Sequence, residues 1–163
     1  TFSRSAFCRQ PGVQCATPDT SAPRARRPAR VRGARRIMRM QFALEFHDSE
    51  VRDLAADAGS IRLRFSAASV RAADGERGWL PGVTLSLSDA TLDGDAAHAF
   101  GKLTEGRLRL DGRPVTRPAL PGSLAGELEL ALRFANGSAL SLRGRGLELA
   151  VADGTGFVPD LSC

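Results

Sequence analysis

The chain has few of the residue types that mark a nucleic-acid platform, a metal centre or a membrane span. It has no tyrosine and a single tryptophan, Trp79, so the stacked aromatic faces of single-stranded nucleic-acid binders are missing. Its three cysteines, Cys8, Cys15 and Cys163, include no C-x-x-C pair and suit neither zinc coordination nor a disulfide framework. No apolar run reaches the roughly 18–20 residues that a transmembrane helix needs. We therefore expect no cofactor, no metal, no membrane partner and a cytoplasmic location, because a reducing compartment suits so few cysteines.

Acidic residues are nearly absent from the first forty positions. Residues 1–40 hold ten arginines and one acid, Asp19, for a net charge of +9. Residues 41–163 hold 13 basic and 17 acidic side chains, for a net charge of −4. The net charge of +5 for the whole chain therefore comes from its first part, which argues against a basic nucleic-acid binder as the description of the whole protein.

The same basic segment lacks the large apolar side chains of a folded core. Residues 1–36 contain neither leucine nor isoleucine, and prolines interrupt them, so residues 1–39 are predicted to be a disordered tail rich in Arg and Pro. Met38 and Met40, the only methionines, lie where the composition changes, which favours a natural start there and a tail that is not native. The alternatives are an arm that contacts nucleic acid non-specifically through phosphates, or an organelle-targeting segment.

From residue 40 onward, the dominant pattern is alternation of apolar and polar side chains. This period of two recurs at residues 61–66, 83–88, 107–111, 127–134 and 147–152. Strict alternation indicates β-strands with one buried face and one solvated face. No window of eleven residues shows a helical apolar stripe, so any helix is limited to a short connector near residues 95–100.

Turn signals separate these predicted strands at short intervals. Asp74-Gly75, Asp93-Gly94 and Asp111-Gly112 each follow an apolar segment, and Asn136-Gly137 predicts a two-residue type I′ hairpin. About eight short strands with such spacing indicate an all-β fold. Residues 40–163 are therefore predicted to form a single antiparallel β-sandwich or small barrel, and the pattern does not separate these two architectures.

Histidine is also scarce, and one of the two lies in the tripeptide His47-Asp48-Ser49. His47 and Asp48 are candidates for a metal-binding or acid–base pair, or for a recognition point on a partner. The alternative is a turn in which Asp48 and Ser49 bond to their own backbone. Because neighbouring strand residues point to opposite faces, His47 and Asp48 are not expected to act together. The second histidine, His98, follows an acidic turn that lacks the remaining ligands of a calcium loop.

Arginines occupy polar positions on several predicted strands. Five of them are expected to project outward and to form a basic stripe wherever two such strands are neighbours: Arg62, Arg64, Arg107, Arg109 and Arg133. No catalytic set can be assembled from the sequence. The favoured hypothesis is a small soluble, non-catalytic protein-binding or accessory module that uses a sheet face or edge. The alternative is a hydrolase or metal-binding protein with its site near His47 and Asp48.

Two segments of the predicted domain carry a family resemblance. They are Phe46-His47-Asp48-Ser49, with the strand at residues 60–70, and the hairpin at residues 128–142. In this combination the chain resembles a group of small bacterial all-β proteins that open near a His-Asp-Ser box and have no established activity. The resemblance covers roughly residues 40–163, and it implies an all-β fold and a bacterial cytoplasmic setting without implying an activity.

Overall fold

A computed structural model describes residues 41–160, which contain eleven β-strands and one short 3₁₀ helix at Ala96–His98. The predicted tail at residues 1–39 and the three cysteines lie outside these residues. The strands are β1 (Phe42–Asp57), β2 (Ser60–Ala72), β3 (Arg77–Leu80), β4 (Val83–Ser88), β5 (Thr91–Gly94), β6 (Gly101–Leu110), β7 (Arg113–Val115), β8 (Ala119–Leu120), β9 (Gly122–Phe134), β10 (Ala139–Val151) and β11 (Val158–Pro159).

Six of these strands close into an antiparallel barrel. The order is β1–β2–β4–β10–β9–β6, and β6 pairs back to β1. The predicted all-β fold is confirmed, and of the two architectures left open by the sequence, the barrel is the one observed. The short strands attach outside the ring: β3 and β11 extend β2, while β5, β7 and β8 pair with β10, β6 and β1. The 3₁₀ helix is the predicted connector.

Leucine side chains fill the interior of the barrel. The alternation seen in the sequence turns one face of each strand inward, where Leu63, Leu85 and Leu130 are completely buried. Burying such a side chain contributes about 1.5–3 kcal/mol relative to leaving it exposed. A barrel of so few strands has room inside only for side chains. Any binding chemistry of the described residues therefore lies on the outer surface.

A wide bulge interrupts β1 at residues 46–49. Glu45 pairs with Ser69 and Glu50 pairs with Ala67, so four residues of β1 face the single residue Ala68 of β2. Within the bulge, Asp48 has a φ of 68°, in the left-handed region that aspartate tolerates better than most residues. The apolar segment before the His-Asp-Ser tripeptide and the segment after it therefore belong to one long strand.

The hairpin between β9 and β10 differs from the predicted type I′ turn. Gly137 has the expected positive φ of 89°, but Asn136 is not among the described residues with positive φ. The Gly137 N–H donates to the Phe134 carbonyl, and the Phe134 N–H donates to the Ser138 carbonyl. The loop therefore has three residues, as in a type I turn followed by a left-handed glycine. The Asn136 side chain favours this form, because its Nδ2 donates to the His98 carbonyl at 2.9 Å.

Among residues 41–160, no helix is long and apolar enough to cross a membrane.

Candidate functional site on the outer surface

Ser49 stabilises the β1 bulge from inside. Its hydroxyl donates to the Glu45 carbonyl at 2.7 Å and accepts the Ser69 N–H at 2.8 Å. These bonds replace the backbone pairing that the bulge interrupts, and the side chain is completely buried. The Ser49 hydroxyl is thus hydrogen-bonded to backbone groups on both sides, so Ser49 is not positioned as a nucleophile beside His47.

The bulge brings three polar side chains together at the surface. Nδ1 of His47 lies 2.8 Å from Oδ2 of Asp48, and Nζ of Lys102 on β6 lies 2.8 Å from Oδ1 of Asp48. The expectation that His47 and Asp48 would point to opposite faces is wrong: their side chains are in contact, because the left-handed φ of Asp48 breaks the strand alternation. The sequence does not indicate Lys102, because its contact with Asp48 depends on the pairing of β1 with β6.

The arrangement at Asp48 is an ion pair with an oriented imidazole. The carboxylate is already shared by Lys102 and His47, and the side chain of His47 is 68 % exposed. Within residues 41–160, no group of three or more His, Cys, Asp or Glu side chains is placed to hold a metal ion. The second histidine makes a similar local contact, with Nδ1 of His98 2.8 Å from Oδ2 of Asp95.

Asp48 is expected to make the stability of the domain depend on pH. The hydrogen bond from Lys102 lowers the pKa of Asp48 below its ordinary 3.8; partial burial opposes this shift, and His47 adds to it. A carboxyl with a lowered pKa in the folded state contributes stability above its unfolded pKa and loses that contribution as the pH falls through the folded value. We therefore expect Asp48→Asn to cost most stability above about pH 5 and progressively less as the solution is acidified below about pH 4.

Urea unfolding of the wild type and Asp48→Asn at a series of pH values measures this difference. The same comparison in a Lys102→Met background is the control, where the pH dependence is expected to weaken because the main cause of the lowered pKa is gone. A stability difference that stays constant from neutral to strongly acidic pH would contradict the role given to Asp48.

A second charged cluster surrounds Glu45, three residues before Asp48. We call Glu45, Arg71, Arg77 and Arg117 the Glu45 cluster. The side chain of Glu45 is only 15 % exposed; Oε1 lies 3.1 Å from Arg71 Nε and 3.3 Å from Arg117 Nε, and Oε2 lies 3.2 Å from Arg77 Nη2. One carboxylate thus faces three guanidinium groups, which leaves a local charge of +2. The sequence did not indicate this cluster, because its arginines come from β2, β3 and the loop before β8.

Trp79 lies beside both clusters. Trp79 of β3 pairs with Ser69 of β2, which pairs with Glu45 of β1, so the three side chains share one face of the sheet. On its other side, Trp79 contributes to an open depression of about 290 Å³. The remaining lining residues of that depression are Asp48, Glu50, Ala67 and Lys102.

The arginines predicted to project outward are all exposed, but they occupy two separate parts of the barrel. Arg107 and Arg109 lie on β6, and Arg133 lies on the neighbouring strand β9. Arg62 and Arg64 lie on β2. In one direction around the barrel, β1 lies between β2 and β6; in the other, β4 and β10 lie between β2 and β9. The five residues therefore do not form one continuous stripe.

Arg143 on β10 extends the larger of the two groups, although it was not among the predicted residues. We call Arg107, Arg109, Arg133 and Arg143 the arginine face. Between these arginines, Arg107 pairs across the sheet with Ala131, and Ala131 pairs with Ser141. These two small side chains leave an open groove of about 240 Å³ between the charged rows.

Two glutamates partly neutralise the arginine face. The contacts are Arg107 Nη2–Glu105 Oε1 at 2.6 Å, Arg133 Nε–Glu105 Oε2 at 3.8 Å and Arg143 Nε–Glu129 Oε1 at 3.7 Å. The arginine side chains in these pairs are 73–75 % exposed, so each pair contributes at most about 1 kcal/mol. No ion pair joins Arg109 to another of the described residues. The four guanidinium groups can therefore exchange these contacts for others at little cost.

The chain matches no protein-family model, no curated protein and no solved structure. The resemblance to bacterial proteins with a His-Asp-Ser box accordingly stays a prediction. The surface geometry of this small all-β barrel domain is thus the basis for a functional proposal.

Proposed function

We propose that the domain is a non-catalytic protein-binding module whose arginine face receives an acidic surface or segment of a partner protein. The observation that supports this most directly is the set of four exposed arginines on three adjacent strands, arranged around the small side chains of Ala131 and Ser141. With Glu105 and Glu129 included, the face carries a charge of +2, whereas residues 41–163 together carry −4. A local charge opposite to that of the domain directs an acidic partner to this side of the barrel.

The side-chain chemistry also suits carboxylates of a protein. A guanidinium group presents a planar fork of N–H donors that binds a carboxylate through two parallel hydrogen bonds. The barrel strands hold the arginines at fixed spacing, so little backbone order has to be gained on binding. The existing pairs with Glu105 and Glu129 are exposed and weak, so a partner's carboxylates replace them without a large loss.

Charge reversal on the arginine face tests the proposal. The probe is a fluorescein-labelled peptide rich in glutamate, titrated into the full chain at two salt concentrations. Arg107→Glu combined with Arg143→Glu is expected to weaken binding about tenfold, equivalent to about 1.4 kcal/mol. The matched control is Arg52→Glu with Arg62→Glu, which makes the same charge change on β1 and β2 and is expected to alter affinity less than about twofold. Both variants keep residues 1–40, so the contribution of that segment is the same in the two proteins.

Equal losses in the two double variants would overturn the proposal, because the effect would then depend on net charge alone. A parallel titration with duplex DNA separates the other class of partner. If Arg107→Glu with Arg143→Glu abolishes DNA binding and leaves peptide binding unchanged, the arginine face is a nucleic-acid surface and the protein-binding proposal is wrong.

A further inference from the structure

The Glu45 cluster has more positive charge than its structural contacts use. Arg71 donates a hydrogen bond from Nε to Glu45 and another from Nη1 to the Gly75 carbonyl at 3.0 Å. Arg77 and Arg117 approach the same carboxylate as ion pairs, but neither guanidinium donates a regular hydrogen bond to any of the residues 41–160. Their side chains are 49 % and 55 % exposed, so their N–H groups remain open to a ligand from solvent.

From this geometry we infer that Arg71, Arg77 and Arg117 form a binding site for a phosphate monoester. The site is independent of the arginine face, which lies on β6, β9 and β10. A phosphate dianion balances the local charge of +2, and its oxygens accept paired N–H donors from guanidinium groups. Glu45 positions the three arginines: its poorly exposed carboxylate lies 3.1–3.3 Å from each of them and holds groups that would otherwise repel one another.

Trp79 indicates where the organic part of the ester would lie. Arg77 and Trp79 are two residues apart on β3, so their side chains project from the same face of the sheet. Beyond Trp79 is the depression of about 290 Å³ that also contains Lys102. An ester with its phosphate on Arg77 and Arg117 can therefore place an aromatic or apolar group against the indole. A ligand of this kind is expected to bind more tightly than free phosphate, because aromatic contact adds to the ionic contact.

The single tryptophan makes the site directly observable, since all indole fluorescence of the chain comes from Trp79. The full chain is titrated with phenyl phosphate and, separately, with inorganic phosphate, at constant ionic strength. We expect a saturable fluorescence change for both, with phenyl phosphate bound about tenfold more tightly. Equal affinity for phenyl phosphate and inorganic phosphate would mean that only the phosphate group is bound, and it would overturn the proposed contact between the organic group and Trp79. The absence of any saturable response would overturn the site.

Substitutions separate a ligand site from a purely structural cluster. Arg77→Gln with Arg117→Gln is expected to weaken phenyl phosphate binding at least about tenfold, whereas Arg145→Gln, an exposed arginine on β10, is expected to leave it unchanged. Unchanged affinity in the double variant would contradict the assignment. The charge-reversed arginine face, Arg107→Glu with Arg143→Glu, is likewise expected to bind phenyl phosphate normally, so this proposal and the proposed function fail separately.

Glu45→Gln supplies the sharpest comparison. The amide keeps one oxygen that accepts from the arginines and loses the negative charge that competes with the phosphate, so phenyl phosphate is expected to bind more tightly than it binds the wild type. Phenyl phosphate is also expected to raise the melting temperature of this variant more than that of the wild type, because the stabilisation by a ligand that binds only the folded state grows with the logarithm of its affinity. Weaker binding by a folded Glu45→Gln protein would overturn the proposal. If this variant does not fold, Arg117→Gln is measured instead. Loss of the melting shift caused by phenyl phosphate supports the site, and an unchanged shift overturns it.

Discussion

Replacing Gly106 with alanine is expected to destabilise the domain by about 3 kcal/mol, a large effect for one added methyl group. Gly106 of β6 faces the interior beside Phe46, the first residue of the β1 bulge. A Cβ at position 106 would overlap Cβ of Phe46 and lie 2.6 Å from its Cγ. Phe46 is buried, and its Cβ is fixed by the backbone of β1, so the clash is relieved only by moving a strand of the barrel.

Chemical denaturation of Gly106→Ala against the wild type measures this cost. Gly156→Ala is the matched control: a Cβ there meets nothing within 4 Å and the backbone does not have a positive φ, so a change of less than about 0.5 kcal/mol is expected. Equal stability losses in the two variants would show that the approach of Phe46 to β6 does not constrain the fold.

Ser49→Ala is expected to cost about 2 kcal/mol, because it leaves the buried Ser69 N–H without its acceptor and removes a donor from the Glu45 carbonyl. The exposed Ser66 is a suitable control, since its hydroxyl also bonds across to β1, at 3.3 Å from the Glu50 carbonyl, but solvent can replace that contact. Ser66→Ala is expected to cost about 0.5 kcal/mol or less.

Unfolding in urea gives both stability values, and an NMR titration of Asp48 gives a second result. If Ser49 orders the bulge, Ser49→Ala is expected to return the pKa of Asp48 towards its ordinary value, because the contact with Lys102 depends on the bulge conformation. A variant that loses stability while the pKa of Asp48 stays lowered would contradict this role.

The strands were predictable from the sequence because successive side chains of a strand point to opposite faces, so a strand with one buried face shows alternating apolar and polar residues. Ile61, Leu63 and Phe65 are buried while Arg62 and Arg64 are exposed, as their alternation indicates. The closure of the barrel was not predictable, since β1 meets β6 through residues about fifty positions apart. Local alternation carries no information about which distant strands will pair.

The candidate site was predictable only in part, for a related reason. The His-Asp-Ser tripeptide pointed to an unusual segment, but the rule of alternating faces failed at Asp48, where one left-handed residue reverses the direction of the side chain. The Glu45 cluster gave no sequence signal, because Arg71, Arg77 and Arg117 become neighbours only through tertiary structure. The sequence identified individual outward arginines, but which of them are neighbours depends on the strand order, which the sequence did not reveal.

The strand pairing that closes the barrel is unusually short. β1 and β6 are joined at two residue pairs, Glu50 with Lys102 and Val51 with Gly101, whereas β9 and β10 are paired along most of their length. Regions with few backbone hydrogen bonds open at lower free energy than the rest of a fold, so amide hydrogens along this seam are expected to exchange with solvent before those of the five other strand pairings of the barrel. The ion pair between Asp48 and Lys102 spans the same seam. Acidification that neutralises Asp48 is therefore expected to loosen the barrel at the line where opening would create two free strand edges.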